Sequence, residues 1–312
     1  MMAAEPFSQF MQRALYDPRR GYYTANIRTV GTRGDFSTSA THSPLLGKAV
    51  AEWLRSERVA TLIEIGAGNG QFMHTMLDSL GWWRRRKLQV FIVEASPLLM
   101  QQQRERLGTK IKAWFGTLTE ALAACAGEAC IVHNEVLDAF PVDVVQFHKG
   151  AWHEVWNADG KEELRPLTID NSHHAALRFK ASEGQRCELH TGVRAWLKDW
   201  LPHWKHGAML GIDYGDEFPA LYNRRPRGTL RAYLIQQRFD GAEIYTNPGR
   251  QDITCDVNFT DVRAWLSELG TKEQHYETQR EFITRMLGES SPSFVTDEHG
   301  AGGAFHCLSV MK

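Results

Sequence analysis

The chain has 312 residues, 43% hydrophobic and 23% charged, which are ordinary proportions for a globular protein able to bury a large core. Its 36 basic and 37 acidic residues give a formal net charge of -1, so no global basic bias points to nucleic acid. Cys125, Cys130, Cys187, Cys255 and Cys307 are scattered and form no C-x-x-C pair, which argues against a metal site or disulfide framework and suits a reducing, cytoplasmic setting. No run of about 18 apolar residues predicts a membrane span. Polar residues interrupt residues 7–15, so no signal-peptide core is expected there.

Residues 5–16 have amphipathic helical spacing, with Phe7, Phe10, Met11, Ala14 and Leu15 on one side, and Asp17-Pro18 and Gly21 end the helix. A long loop follows, closing on Gly34-Asp35-Phe36-Ser37-Thr38-Ser39; its length favours a binding loop. Residues 43–55 read as a helix. Residues 61–70, T-L-I-E-I-G-A-G-N-G, then give a short buried strand and glycines at alternate positions, Gly66, Gly68 and Gly70. Helical spacing resumes through Phe72, Met73, Met76, Leu77 and Leu80. Strand, glycine turn and helix open a nucleotide-binding βαβ unit, in which glycine lets a ligand approach the backbone. The apolar run 88–93 ends at Glu94, where a carboxylate can accept two hydrogen bonds from a ribose diol. A dinucleotide fingerprint requires G-x-G-x-x-G; here the third glycine falls one position early and Gln71 takes the fingerprint place.

Residues 110–115 predict a third strand. The turn Gly116-Thr117-Leu118 after it suits either a ligand contact or a plain helix start capped by Thr117 with Glu120. Residues 129–133 predict a fourth strand with Asn134-Glu135 at its carboxyl end, the edge at which open α/β sheets bind ligands. The pattern changes after residue 142. A hairpin (142–147 and 152–156, turning at Lys149-Gly150), a turn at Asp159-Gly160, a strand at 186–189 and a tryptophan-rich helix at 193–201 predict an inserted α+β cap. Residues 209–213 resume the core, 259–269 read as a helix and 304–311 as a closing strand. Arg224, Arg225, Arg227 and Arg231 read as a solvated face. Trp82-Trp83, Trp196, Trp200 and Trp204 are expected to pack the insertion, and His173-His174 lacks metal-ligand spacing.

E-x-G-x-G-x-G with a later acidic residue resembles motifs I and II of class I S-adenosylmethionine (SAM)-dependent methyltransferases. F-x-x-F-M-x-x-A-L-Y-D-P-x-x-G-Y-Y from Phe7, G-D-F-x-T-S from Gly34, I-E-I-G-A-G-N-G from Ile63, N-E-V-L-D-A-F-P-V from Asn134, I-D-Y-G from Ile212, R-G-T-L-R-A-Y from Arg227 and P-G-x-Q-D-I-T-x-x-V-N-F-T from Pro248 together resemble the MidA family. That is the family of mitochondrial complex I assembly-factor type, which includes a protein arginine methyltransferase. The resemblance implies an α/β fold: a Rossmann-like class I methyltransferase sheet, mostly parallel with an antiparallel C-terminal strand. It also implies an N-terminal helical extension and lid loop (1–58), sheet segments at 59–141 and 207–312, and the inserted cap at 142–206.

SAM is the implied cofactor. Glu64, Gly66, Gly68, Gly70 and Glu94 would form its main contacts, and Gly116, Thr117 and Leu118 would lie near the adenine. Asn134 would serve the methionine end, and Gly34 and Asp35 would fold over it. Glu135 and Asp138, three apart, are the implied catalytic carboxylates for a guanidinium. The implied partner is a protein presenting an arginine, by resemblance a respiratory complex I subunit. Two other functions fit the same residues: a small-molecule methyltransferase, and a non-catalytic assembly partner retaining the fold. Family members often carry a histidine near Gln236 or Gln237, where this chain has glutamines.

Overall fold

The computed structural model describes residues 3–31, 34–35, 37–288 and 293–312. Two compact units emerge. One comprises Ile27–Val136, Lys198–Tyr214 and Leu266–Lys312; the other comprises Met1–Asn26, Leu137–Leu197 and Gly215–Trp265.

The first unit is built on a sheet of β1 (Thr61–Ile65), β2 (Gln89–Val93), β3 (Ala113–Phe115), β4 (Cys130–Asn134), β5 (Ala208–Asp216), β6 (Lys272–Thr278) and β7 (Phe305–Met311). Their order is β3-β2-β1-β4-β5-β7-β6. β3, β2, β1, β4 and β5 pair in parallel, whereas β7 runs antiparallel between β5 and β6. The sequence explains the parallel part. Leu62, Ile63, Val90, Phe91, Ile92, Ile131 and Val132 are all buried, giving the continuous apolar runs of strands covered on both faces.

The longer helices of this unit are α1 (Leu45–Ser56), α2 (Gln71–Ser79), α3 (Trp82–Lys87), α4 (Pro97–Leu107), α5 (Leu118–Ala124) and α6 (Gln279–Leu287). α1 and α2 approach closely at Gly47, where an added Cβ would lie 2.8 Å from Thr75 Cγ2. Leu46, Val50 and Leu54 of α1 share one core with Phe72, Met73, Met76 and Leu77 of α2. Ser96 caps α4, its hydroxyl accepting from Leu99 N–H at 3.3 Å, with Pro97 at the first helical position. Thr117 and Glu120 form a capping box at the start of α5.

Sequence pattern missed β6 and α6. β6 reads K-E-Q-H-Y-E-T, is exposed over its first four residues and lies at the sheet edge, so no apolar alternation marks it. The tryptophans also depart from expectation. Trp82 and Trp83 lie on α3 in this unit, not in the insertion, and are 50% and 74% exposed. Trp200 and Trp204 are buried here, with Trp204 Nε1 donating to Ala129 O at 3.0 Å.

In the second unit, the helix Phe7–Tyr16 buries the face that its spacing predicts. The hairpin Asp143–His148 and Ala151–Ala158 turns through Lys149 (φ 50°) and Gly150 (φ 81°), the left-handed pair that matches strand twist. A second turn through Asp159 and Gly160 leads to Lys161–Pro166, and Arg186–Leu189 pairs with Asp143–His148. A small sheet of Arg231–Leu234, Gln237–Phe239 and Asp252–Thr254 was not legible, because each strand is very short and the last two are mostly polar. Arg224, Arg225 and Arg227 are exposed, as expected of a solvated run. Arg231 is the exception: its Nη1 lies 2.5 Å from Asp256 Oδ1 and its side chain is 11% exposed. All five cysteines are free, and four are buried.

Candidate active site

Backbone hydrogen bonds tie the carboxyl ends of neighbouring strands together. Gly66 N–H donates to Val93 O (2.9 Å), Glu94 N–H to Phe115 O (3.0 Å) and Glu135 N–H to Ile212 O (2.9 Å). The turns after β1, β2 and β4 are thus held along one edge. The chain leaves β1 toward β2 on one side and β4 lies on the other, so this edge contains the topological switch point where open α/β sheets bind ligands.

The glycine turn has three left-handed residues, Gly66 (φ 65°), Gly68 (φ 53°) and Gly70 (φ 79°). A Cβ at Gly66 would come within 2.9 Å of Val136 Cγ2, and one at Gly70 within 3.2 Å of Leu107 Cδ1. These two positions therefore serve close packing as well as the turn. At Gly68 the nearest atoms belong to Val30, 3.6 to 3.7 Å away. Residues 28–31 are fastened over the turn by side chains. Asn69 Nδ2 donates to Val30 O (2.5 Å), Gln102 Nε2 to Arg28 O (2.5 Å) and Thr29 Oγ1 to Gln102 Oε1 (2.6 Å). Gly34 N–H bonds Gly31 O, and the Asp35 carboxylate accepts from Arg28 N–H at 2.9 Å, closing this loop on itself. Phe36 lies outside the described residues.

Two carboxylates are buried at this edge. Glu94 accepts from Ser96 N–H (2.9 Å) and from Gln103 Nε2 (2.7 Å), which also donates to Gly68 O (2.9 Å). Burial pushes its pKa up to about 7, against the pull of the Ser96 and Gln103 hydrogen bonds. Glu64 is 2% exposed, and its Oε2 has no hydrogen-bond partner among the described residues. Burial, reinforced by the negative charge of Glu94, raises it to about 8. An orphaned buried carboxylate oxygen beside a second carboxylate suits a ligand that brings both positive charge and hydroxyl donors. A sulfonium carrying a ribose diol meets both requirements.

Asn134 and Glu135 meet Ser39. Glu135 Oε1 accepts from Ser39 N–H (2.8 Å), Ser39 Oγ (3.2 Å) and Asn134 Nδ2 (3.1 Å). Glu135 also has φ 55°, a left-handed backbone uncommon outside glycine and found preferentially at functional sites. Asp213 supports this corner by accepting from Val136 N–H at 3.1 Å. Thr117 acts as the cap of α5, Leu118 is buried behind it, and at Gly116 an added Cβ would lie 3.7 Å from Glu120 Oε2. Asp138 belongs to the other unit. It is buried there and its carbonyl accepts from Cys255 N–H at 3.1 Å.

Sequence reasoning missed Gln103, Asn69 and the role of Ser39. Gln103 carried a signal: it sits between Leu99 and Leu107 at four-residue spacing, on the buried stripe of α4.

The strand order with its antiparallel last insertion, the glycine turn and the acidic end of β2 define a class I SAM-dependent methyltransferase. Residues 45–276 match the family described as "Putative S-adenosyl-L-methionine-dependent methyltransferase", and the chain belongs to that family. It is 26% identical over 326 residues to the Caenorhabditis elegans "Protein arginine methyltransferase NDUFAF7 homolog, mitochondrial", covering 89% of this chain and 72% of that protein. Identity to the human protein of the same name is 24%, over 86% of this chain and 68% of the relative. The crystal structure of a Burkholderia thailandensis superfamily member bound to S-adenosyl-homocysteine (SAH) superposes with a TM-score of 0.84 at 26% identity, over 99% of this chain and 88% of that one. The MidA-type resemblance and SAM as cofactor therefore stand. The cytoplasmic expectation does not: the relatives are named as mitochondrial proteins. Scattered cysteines carry no address.

Proposed function

We propose that this methyltransferase acts on an arginine side chain of a protein substrate. The observation that carries the reading is Glu135, a half-buried carboxylate at the carboxyl end of β4 in the motif N-E-V-L-D-A. Glu135 is fixed in a left-handed conformation at the end of β4. In the other unit, Asp138 and Asp252 both act on the Tyr23 phenol, which burial first and then their charges push well above its ordinary value. Tyr23 Oη donates to Asp252 Oδ1 at 2.7 Å. Buried carboxylates suit a guanidinium, which they bind bidentately while drawing its charge away from one nitrogen. The names of the relatives support the same substrate class.

When bound, SAM supplies an activated methyl group on a sulfonium. Gly68 would lie against it, Glu94 would accept from the ribose diol, and Glu64 would face positive charge. Residues 28–31 would cover the turn and exclude water. A guanidinium nitrogen held by Glu135 would be oriented toward the methyl, and the proton it loses would pass to that carboxylate.

The bonds from Ser39 to Glu135 favour a second reading of that residue. In it, Glu135 fixes the turn at Ser39–His42 and Asp138 alone engages substrate. Mass spectrometry of protein arginine methylation in cells with and without this protein tests the proposal. Loss of specific methylarginine sites on deletion is the expected result. An unchanged methylarginine profile, with a small-molecule acceptor methylated in its place, would overturn it.

A further inference from the structure

We infer that α3 is a docking element for an anionic lipid bilayer. This inference rests on a different face from the methyl-transfer site and is independent of the substrate proposal. α3 reads W-W-R-R-R-K and buries none of its six residues. Trp82 and Trp83 stand side by side, ring centroids 4.5 Å apart, at 50% and 74% exposure. Two adjacent indoles displayed to solvent are costly unless something covers them.

The helix is nonetheless firmly held. Arg84 Nη2 donates to the carbonyls of Glu57 (2.6 Å), Val59 (3.2 Å) and Leu54 (3.3 Å), bolting α3 to the segment before β1. The Arg86 guanidinium lies 4.8 Å from the Trp82 ring centroid, so cation and indole form one amphipathic surface. Nearby acidity is already committed. Asp78 is shared among Arg85, Lys110 and His74, and Glu52 pairs with Arg55. Arg86 and Lys87 are exposed and have no carboxylate partner among the described residues.

Charge complementarity selects the occupant. Indoles settle at the headgroup level of bilayers, and arginine and lysine beside them pair with lipid phosphates. One face offering both, on a helix far too short to span, fits a surface contact with anionic lipid.

The test uses the full chain with vesicles of phosphatidylcholine alone or mixed with phosphatidylglycerol. Co-sedimentation is read together with quenching of tryptophan fluorescence by brominated phosphatidylcholine. The protein should partition to the anionic vesicles, leave them as salt is raised, and ignore the neutral ones. Trp82→Ala with Trp83→Ala should abolish the quenching. Arg85→Gln, Arg86→Gln and Lys87→Gln together should weaken partition by roughly a hundredfold, at about fivefold per basic side chain. Arg84 is left intact, so melting temperature and SAH affinity should not change. Three results would each overturn the inference: no partition of the wild type, equal partition to both vesicle types, or full partition of the tryptophan variant. Concentration-dependent self-association that vanishes in the tryptophan variant, with no vesicle binding, would assign the face to a second copy of the chain.

Discussion

At the scale of residues, the buried ionisable groups predict how stability depends on pH. Glu64 and Glu94 have pKa values raised to about 8 and about 7, against an ordinary 4.5. The folded chain therefore holds protons that the unfolded chain releases, and their contribution is full below pH 4.5 and is lost as pH rises through 7 to 8. Buried His133 and His190, lowered to about 4 from 6.5, act oppositely: their contribution is full above 6.5 and is lost as pH falls toward 4. Between pH 6.5 and about 8 the carboxylates act without that opposition. The melting temperature of the ligand-free protein should fall across this window, and Glu94→Gln should flatten the fall; identical slopes would show that Glu94 is not the titrating group. Glu135 carries the second prediction. Glu135→Gln should leave SAH affinity nearly intact while single-turnover transfer drops steeply, because a charge-assisted pair is lost. Parallel loss of both would make it a holder of the cofactor end, and near-normal transfer would leave Asp138 to test. Residue roles were legible where chemistry fixes the type, as at Glu94. They were not legible where a polar side chain serves the backbone of a distant segment, as Gln103 and Asn69 do, because such bonds leave no local period in the sequence.

At the scale of elements, the loop at residues 28–31 is held over the glycine turn by Asn69 and Gln102 rather than by an apolar anchor alone. Each such hydrogen bond contributes about 0.5–1.5 kcal/mol net, so Gln102→Ala, which removes two of them, should raise the rate of tryptic cleavage after exposed Arg28 by roughly tenfold. SAH should slow cleavage of the wild type if this loop covers the cofactor, and equal rates with and without SAH would count against a cover. The buried strands and the helices with one apolar face could be read from sequence to within a few residues: β1 and Arg186–Leu189 lie where their patterns placed them. The edge strand β6 could not, since its first four residues are exposed on both faces and so carry no apolar alternation. α3 escaped for the opposite reason, its tryptophans looking like core material while the structure displays them.

For the whole molecule, the sheet order β3-β2-β1-β4-β5-β7-β6 places three turn motifs, at Gly66, Glu94 and Glu135, along one edge, and the central claim is that this edge holds SAM. The fold was legible because its glycine turn and acidic strand end obey local rules. The small sheet around Arg231–Leu234 was not, because its hairpin turns through Ile235 (φ 50°) and Gln236 (φ 62°), residues that give no turn signal, and its third strand and the Arg231–Asp256 ion pair come from a later segment. The most direct measurement is calorimetric titration of SAH into the wild type and into Glu94→Ala, with melting recorded to confirm that the variant folds. Hydrogen bonds to a charged group contribute about 1.5–3 kcal/mol, so the variant should bind roughly ten- to a hundredfold more weakly, and NAD should bind neither form. Undiminished SAH affinity in a folded Glu94→Ala, or tight NAD binding by the wild type, would contradict the account.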